Sequence, residues 1–289
     1  MRRRTATRVV LPAAVFAAVT ALILTIGHPP RASLASTVAP VTATHSAVPL
    51  VDAAIATQVQ ERVRSALPAA QVAVEVFDRR TGTVLTQLNA DWQFASMSVV
   101  KLLIALDVLR AGHWQVPDVH TQAQLTRMIS ASDDAIASAY WVQQGGGALV
   151  TRMAHLLGLH GTQPPDRPGQ WGSTWITAED VVTVYRYIEE SLPRPARDLL
   201  YRAMYHAPAA AADGTDQYFG IPDALPGTTW AIKQGWGTSE GRAFYHTTGL
   251  LGADARHVVV VLSSAPVKSF HALPPALTAG TAALRPLLS

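Results

Sequence analysis

The segment FASMSVVKLLIALDVLR, residues 94–110, carries the strongest structural signal in the sequence. From Ser98 to Arg110 apolar residues lie on nearly every side of a helix, which is typical of a buried helix. A single lysine, Lys101, interrupts this apolar surface close to where the helix begins. Because residues three positions apart lie on the same helical face, the hydroxyl of Ser98 and the amine of Lys101 are neighbours. The segment therefore predicts a buried helix that begins with a serine and lysine pair.

The elements on either side of this helix predict a mixed α/β domain. In chain order the patterns predict a helix (52–67), two strands (71–78 and 83–85), the buried helix (98–110), a helical block (120–206), three strands (229–235, 243–251 and 256–263) and a closing helix (274–288). Strands at the two ends of a chain usually join into one antiparallel sheet. We therefore predict an α/β (α+β) fold: a five-stranded antiparallel sheet covered by the terminal helices, an inserted all-helical lobe, and a site in the crevice between the lobes.

The first 51 residues precede this domain and carry a targeting pattern. Residues 1–35 contain a basic start, an apolar run and a small-x-small tripeptide, which is the order of a secretory signal peptide. The apolar run is nearly long enough to span a bilayer, so an uncleaved N-terminal membrane anchor is the alternative. Residues 36–51 are rich in Thr, Ser, Ala and Pro and predict a flexible linker to the domain at 52–289. Either way, we expect an exported protein, secreted or anchored at the outer face of the cytoplasmic membrane.

The composition excludes several functional classes. The leader holds five of the 23 basic residues and no acidic residue, so the rest of the chain has 18 basic against 20 acidic residues. This balance predicts no nucleic-acid partner, and membrane contact only through the N-terminal segment. The chain contains no cysteine, which excludes disulfides and thiolate chemistry. The histidines show no metal-ligand spacing, so we expect neither a metal nor an organic cofactor. The oligomeric state stays open.

Ser98 and Lys101 are the first candidates for catalysis. A serine hydroxyl is a weak nucleophile unless a base takes its proton, and a lysine serves as that base when apolar surroundings lower its pKa. The alternative is that Ser98 caps the helix and Lys101 is a surface residue. Lysine usage favours catalysis, because the chain has only three lysines (Lys101, Lys233 and Lys268). Nearly all other positive charge is arginine, which cannot give up its proton.

Two further clusters carry polar groups later in the chain. Ser132-Asp133-Asp134 lies in the helical block, where the structural alternative is a helix start capped by Ser132. Lys233-Gln234-Gly235 ends a predicted strand. There Lys233 would place positive charge near a carboxylate, and Gly235 would let a substrate backbone lie against the strand edge. Each of these two clusters is a weak signal by itself.

Together and in this order, the three clusters resemble the Ser-x-x-Lys, Ser-Asp-Asn and Lys-Thr-Gly motifs of the penicillin-recognising serine enzymes. The resemblance is closest to the class A β-lactamases, covers residues 52–289, and includes Phe94 four residues before the serine. It implies a β-lactamase/transpeptidase-like fold. It also implies that Ser98 is the acylated nucleophile and Lys101 its proton acceptor, that Ser132 relays a proton to the leaving nitrogen, and that Lys233 tunes the relay.

The same resemblance implies a set of substrate-binding groups. Lys233 would also attract a substrate carboxylate, and the backbone N–H groups of Ser98 and Trp236 would form the oxyanion hole. Arg242, on the next strand, would be a second carboxylate anchor, although an exposed strand arginine is an equally good interpretation. The remaining binding positions are Asp134, Gln234 and Gly235.

Three departures from the motifs weaken the expectation of efficient hydrolysis. Asp134 replaces an asparagine, which substitutes an acceptor-only carboxylate for an amide donor, and Gln234 replaces a small threonine. The class A enzymes carry a glutamate that activates the deacylating water, but this chain has no glutamate between Lys101 and Glu179. The loop at 161–172 offers only Asp166, which fits a turn, and Glu179 fits the first turn of a helix.

The leading hypothesis is therefore an exported serine hydrolase, acylated at Ser98 by β-lactams or by cell-wall-peptide-like acyl donors, that deacylates slowly. Its partner would be such a small-molecule or peptide acyl donor, with a peptidoglycan stem peptide among the candidates. The alternative is a catalytically degenerate binding or scaffolding domain of the envelope that retains the fold. A third reading is an efficient β-lactamase with an unrecognised water-activating group.

Overall fold

The computed structural model describes residues 53–252 and 254–288, and the predicted leader and linker lie outside these residues. The helices are α1 (Ala53–Ala66), α2 (Lys101–Ala111), α3 (Val119–Ser130), α4 (Asp134–Gln143), α5 (Gly147–Leu157), α6 (Ala178–Glu190), α7 (Arg194–Tyr205), α8 (Ile221–Ala224) and α9 (Leu273–Thr281). The strands are β1 (Gln71–Asp78), β2 (Thr83–Leu88), β3 (Phe94–Ala95), β4 (Trp175–Ile176), β5 (Trp230–Ile232), β6 (Gly235–Ser239), β7 (Arg242–Leu251) and β8 (His257–Pro266). Short 3-10 helices span Met97–Val100, Trp171–Ser173, Val267–Ala272 and Ala282–Leu287.

The main sheet is antiparallel and joins strands from both ends of the domain. Its order is β2-β1-β8-β7, with β5 and β6 both paired to the outer side of β7. Ile232 lies opposite Gly249 and Gly235 lies opposite His246, so the register continues from β5 into β6. These two segments are therefore one edge strand with an interruption between them. The predicted five-stranded antiparallel sheet is confirmed, with its last strand broken.

The interruption falls at the third motif and has a local cause. Lys233 N–H still bonds to the carbonyl of Thr248 at 2.9 Å. In the reverse direction, however, the N–H of Thr248 donates to the side-chain oxygen of Gln234 at 3.2 Å. The hydroxyl of Thr248 donates to the carbonyl of Lys233 instead. Side chains thus replace one bond of the backbone ladder at this point.

Both faces of the sheet are buried, because helices cover each of them. Along β8, Val258, Val260 and Leu262 face the helical lobe, whereas Val259 and Val261 face the terminal helices. A strand buried on both sides has a continuous apolar sequence, as this one has. Burial of each such side chain contributes about 1.5–3 kcal/mol to folding, so the sheet is a stable platform for the site at its edge.

Two details differ from the sequence prediction. The block at 120–206 is not entirely helical, because β4 lies within it and pairs with β3, with Ala95 opposite Trp175. A two-residue strand leaves no periodic pattern to detect. The closing helix ends as α9 at Thr281 and continues as a 3-10 helix that contains Pro286. Within residues 53–252 and 254–288, no helix has the length and apolar character needed to cross a bilayer.

Candidate active site

Ser98 lies at the junction of the sheet and the helical lobe. The chain leaves β3, passes Met97 in a left-handed conformation (φ 48°), and enters the 3-10 helix that leads into α2. A non-glycine residue with positive φ is uncommon, and such strain is often found at functional sites. The hydroxyl of Ser98 lies on the floor of a cleft, and the residue is 5% exposed.

His246 holds this segment in place from β7. Its Nε2 lies 2.8 Å from the carbonyl of Ala95, and its Nδ1 accepts from the N–H of Ser263 at 3.3 Å. Because Nδ1 accepts, Nε2 carries the proton and donates to Ala95. Burial lowers the pKa of His246 to about 4, so the imidazole is neutral at physiological pH. His246 is thus a structural tie beneath the site.

The amine of Lys101 is the hub of the site. Its Nζ lies 2.5 Å from Ser98 Oγ, 3.2 Å from Ser132 Oγ and 3.0 Å from the carbonyl of Ser132. The side chain is fully buried. Burial lowers the pKa of Lys101, and the carboxylate of Asp134, 2.6 Å away, opposes that shift. A buried lysine within hydrogen-bond distance of a serine hydroxyl has the geometry of a nucleophile and its base.

Ser132 and Lys233 extend this network to the sheet. Ser132 adopts a left-handed conformation (φ 56°) just before α4. Asp133, not Ser132, caps that helix by accepting from the N–H of Ile136 at 3.1 Å, so the helix-cap alternative for Ser132 is wrong. The hydroxyl of Ser132 is instead turned inward, where Lys233 Nζ donates to it at 2.9 Å.

Lys233 is buried, and opposing influences act on the pKa of its amine. Burial and the positive charge of Lys101 lower the pKa of Lys233 well below its ordinary value. The carboxylates of Asp134 and Asp213 act in the opposite direction. Ser98, Lys101, Ser132 and Lys233, which we call the cleft floor, therefore form a continuous chain of hydroxyl and amine groups in which proton transfer is possible.

Ser98 and Trp236, whose backbone N–H groups the resemblance assigns to an oxyanion hole, both line the cleft. Hydrogen-bonded and non-bonded residues alternate along an antiparallel pair, and Lys233 bonds to Thr248. Trp236, three residues later, therefore turns its N–H away from β7 and toward the free edge of the sheet. Ser98 belongs to the first turn of its helix, where N–H groups have no acceptor within the helix. Neither N–H group therefore forms a hydrogen bond within its own helix or strand pair.

The cleft has a volume of about 560 Å³ and is bounded by the helical lobe, the loop before β4, and β6. Ser98 lines its floor, and its wall includes Asp134, Asp166, Trp171, Asp213 and Trp236. The ring of Trp171 lies 4.6 Å from the Nζ of Lys101. Trp236 Nε1 donates to Asp213 Oδ2 at 3.0 Å. Sequence analysis did not find Asp213, because an aspartate in a turn gives no signal beyond turn chemistry.

Three predicted binding residues lie differently from expectation. The Gln234 side chain is buried and donates to the carbonyls of Gln217 and Phe219 at 3.1 and 2.7 Å, so it does not line the cleft as a binding residue would. A Cβ at Gly235 would lie 2.9 Å from the carbonyl oxygen of Ser96, which shows that protein, not substrate, packs against this glycine. The third residue, Arg242, is not part of the cleft wall.

Arg242 does not reach the cleft. Its guanidinium donates through Nε and Nη2 to the hydroxyl of Ser264, at 3.2 and 2.8 Å. Ser264 lies on β8, one strand further into the sheet than β7. Arg242 is absent from the cleft wall, so the structure favours the alternative interpretation, a strand arginine, over a carboxylate anchor.

The loop at 161–172 supplies Asp166 to the cleft, and this carboxylate is exposed. Glu179 lies in the first turn of α6, two residues after the N-cap residue Thr177, as the sequence predicted. Its pKa is raised by partial burial, and it is not part of the cleft wall. In the described part of the chain, no three histidine or carboxylate side chains are grouped to hold a metal ion.

The comparison with solved structures identifies the fold. A β-lactamase from Burkholderia vietnamiensis matches with a TM-score of 0.65 and 20% identity, over 80% of this chain and 95% of that one. A class A β-lactamase from Mycobacterium abscessus matches with a TM-score of 0.63 and 19% identity, over 81% of this chain and 97% of that one. The chain therefore has a β-lactamase-related fold.

Sequence comparison gives a nearer relative. The chain is 34% identical over 205 residues to a mycobacterial protein named "Putative lipoprotein LppW", from Mycobacterium tuberculosis and Mycobacterium bovis. The match covers 68% of this chain and 64% of the relative, so the chain spans less than two thirds of the length of that relative. No protein-family model matches the chain.

Proposed function

We propose that this chain is an exported serine hydrolase that is acylated at Ser98 by amide-like acyl donors and releases the acyl group slowly. The observation that carries the proposal is the distance of 2.5 Å between Ser98 Oγ and Lys101 Nζ in a buried setting. Burial favours the neutral amine, which is the form able to accept the proton of Ser98. The β-lactamase-related fold agrees with this chemistry.

The proposed acylation moves one proton around the cleft floor. Ser98 Oγ attacks the carbonyl carbon while its proton passes to Lys101 Nζ, and the carbonyl oxygen becomes an oxyanion held by the N–H groups of Ser98 and Trp236. The carbon–nitrogen bond then breaks as the Ser132 hydroxyl gives its proton to the leaving nitrogen and is reprotonated from Lys101. Lys233, 2.9 Å from Ser132 Oγ, orients that hydroxyl.

Slow deacylation follows from what the loop at 161–172 lacks. Hydrolysis of the acyl-serine ester needs a base positioned beside a water molecule, which contributes about 10²- to 10⁴-fold to the rate. The loop contains no glutamate, and its one acidic residue, Asp166, is an exposed side chain on the cleft wall. We propose that the adduct on Ser98 is long-lived for this reason.

The proposal places the domain, residues 52–289, outside the cytoplasmic membrane. Support comes from the signal-like pattern at 1–35 and from the word lipoprotein in the name of the mycobacterial relative. This chain contains no cysteine to carry a lipid, so its apolar N-terminal segment would provide any membrane attachment. The linker at 36–51 would separate the domain from that segment.

A degenerate binding domain is the second candidate, and one observation favours it. Asp134 Oδ1 lies 2.6 Å from Lys101 Nζ, and this ion pair stabilises the protonated amine, which cannot act as a base. The two candidates differ in one respect that is easily measured. Only the hydrolase forms a covalent adduct.

Labelling with a fluorophosphonate probe, followed by intact-mass spectrometry, tests the proposal. We expect one adduct on the wild-type domain and none on Ser98→Ala. Ser96→Ala is the matched control, because Ser96 is a buried serine two residues away whose hydroxyl donates to backbone carbonyls. It should label like the wild type. The chain has no cysteine, so no thiol competes for the probe. Persistent labelling of Ser98→Ala, or an unlabelled wild type, would contradict the proposal.

A further inference from the structure

The exposed wall of the cleft is acidic. Asp166, Asp213 and Glu240 line it with exposed carboxylates, and Arg167 is the one exposed cation among its lining residues. None of these three carboxylates forms an ion pair with another described residue, in contrast to Asp134, which pairs with Lys101. The two lysines of the cleft floor are buried, and burial disfavours their charged forms. The field that a substrate meets on entry is therefore negative.

Groups suited to an anionic substrate are directed elsewhere. The guanidinium of Arg242 donates to Ser264, and the amide of Gln234 donates to backbone carbonyls beneath the sheet edge. A substrate carboxylate placed beside Trp236 would therefore meet the exposed carboxylate of Asp213, and the one exposed cation of the lining, Arg167, belongs to the loop at 161–172. Like charges a few ångströms apart repel each other, and the repulsion becomes stronger where water screens them less.

The same place suits a cation. Trp236 Nε1 donates to Asp213 Oδ2 at 3.0 Å, which fixes a carboxylate at the edge of an indole ring. Partial burial raises the pKa of Asp213, but hydrogen bonds from Thr215 and Trp236 together outweigh this effect and lower the pKa, so the carboxyl is ionised at neutral pH. An indole face attracts cations, and two indoles of the cleft have one nearby: Lys233 Nζ lies 5.9 Å from the ring centre of Trp236, and Lys101 Nζ lies 4.6 Å from that of Trp171. A carboxylate beside an indole is a chemically suitable pair for an ammonium or guanidinium group.

We propose that the cleft selects acyl donors that carry a positively charged amine or guanidine, with Asp213 and Trp236 as the binding pair. The proposal rests on the proposed function, since it concerns the substrate of the same serine. Acylation itself is unchanged: the Ser98 Oγ–carbonyl bond forms, the bond to the leaving group breaks, and the proton of Ser98 passes to Lys101. The positive charge of the donor changes only how often its carbonyl group is bound within reach of Ser98 Oγ.

Three 4-nitrophenyl esters with matched shape test the preference. Their acyl groups are 4-guanidinobenzoyl (cationic), 4-acetamidobenzoyl (neutral) and 4-carboxybenzoyl (anionic), and each acylation releases nitrophenolate. We expect the second-order rate constant for the cationic ester to exceed that for the anionic ester by at least about tenfold at low salt, with the neutral ester between them. High salt should reduce the ratio.

Variants assign the preference to Asp213. Asp213→Asn removes the charge but keeps an oxygen that can accept from Trp236, and it should lower the cationic-to-anionic ratio by at least about threefold, with the remainder due to Asp166 and Glu240. Glu61→Gln is the matched control, because Glu61 is an exposed residue of α1 and its replacement changes the net charge of the protein by the same amount. It should leave the ratio unchanged.

The outcomes separate this proposal from the proposed function. Acylation of Ser98 with equal rates, or with the anionic ester fastest, overturns the charge preference and leaves the hydrolase intact. If no ester acylates the protein, the hydrolase fails, and binding of the unreactive 4-guanidinobenzamide and 4-carbamoylbenzoate, measured by calorimetry, decides the remaining question. Tighter binding of the guanidine that is lost in Asp213→Asn supports the recognition site, whereas its absence overturns it.

Discussion

The floor and the wall of the cleft differ in how they are built. On the floor, Ser98, Lys101, Ser132 and Lys233 are buried, and each has another member of the set within 3.2 Å. On the wall, the carboxylates are exposed and come from loops, turns and the first residue of α4. A buried network loses much free energy if one member is removed, whereas an exposed side chain changes at little cost in stability. Bond-forming chemistry and substrate recognition are therefore separable in this molecule.

The largest effect on acylation is expected when a residue of the cleft floor is replaced. Lys101→Arg keeps the positive charge but removes the ability to accept a proton, so acylation of Ser98 should fall by at least about 10²-fold. The measurement is the rate of fluorophosphonate labelling. Thermal unfolding shows whether the variant stays folded, and Lys268→Arg, at an exposed lysine, should behave like the wild type. A folded Lys101→Arg protein that labels at the wild-type rate would show that Lys101 is not the base.

Asp134 links the wall to the floor, and its removal should have an intermediate effect. The carboxylate opposes the lowering of the Lys101 pKa, so Asp134→Asn should lower that pKa further. Acylation requires neutral Lys101, and its rate rises with pH as the amine loses its proton. We therefore expect the midpoint of the pH–rate profile to move to lower pH, with about a three- to tenfold faster reaction near neutrality.

Asp166→Asn is the matched control for this experiment. It removes the same charge from the same wall, but Asp166 makes no contact with Lys101 in the structure. Its shift in the midpoint should be smaller than that of Asp134→Asn. Equal shifts in both variants would mean that the general field of the cleft, not the ion pair, sets the charge of Lys101.

The smallest effect is expected at Arg242. Because its guanidinium is bound to Ser264 and lies outside the cleft, Arg242→Gln should change the acylation rate by a carboxylate-bearing penicillin by less than about twofold. Pseudo-first-order labelling at several penicillin concentrations measures this rate. A loss of tenfold or more would show that Arg242 leaves Ser264 and binds the substrate carboxylate.

The floor was more predictable from sequence than the wall, for physical reasons. Ser98 and Lys101 share one helical turn, and their neighbourhood follows from helix geometry alone. Ser132 and Lys233 come from distant elements, and only the family resemblance brought them together; the structure places Lys233 Nζ 2.9 Å from Ser132 Oγ. The fold was predictable because the strands have clear alternation and β8 has a continuous apolar run.

The wall depends on contacts that leave no pattern. The Gln234 side chain is oriented by its hydrogen bonds to the carbonyls of Gln217 and Phe219, which belong to an irregular segment. The direction of Arg242 follows from a hydroxyl on β8. Asp213 lies in a turn that borders the cleft, and its hydrogen bond to Trp236 could not be inferred from the spacing of the two residues. Side-chain orientation in loops and at a strand interruption is a tertiary property.

The most direct test of the account is the time course of a chromogenic cephalosporin with enzyme at stoichiometric concentration. The residues of the cleft floor acylate Ser98, but the cleft has no positioned base to activate water. We therefore expect a burst of at most one equivalent, then slow turnover, with a long-lived adduct on Ser98 seen by mass spectrometry. Rapid steady-state hydrolysis would contradict the account and indicate Asp166 as the base. No burst and no adduct would contradict it in the other direction and favour the degenerate binding domain.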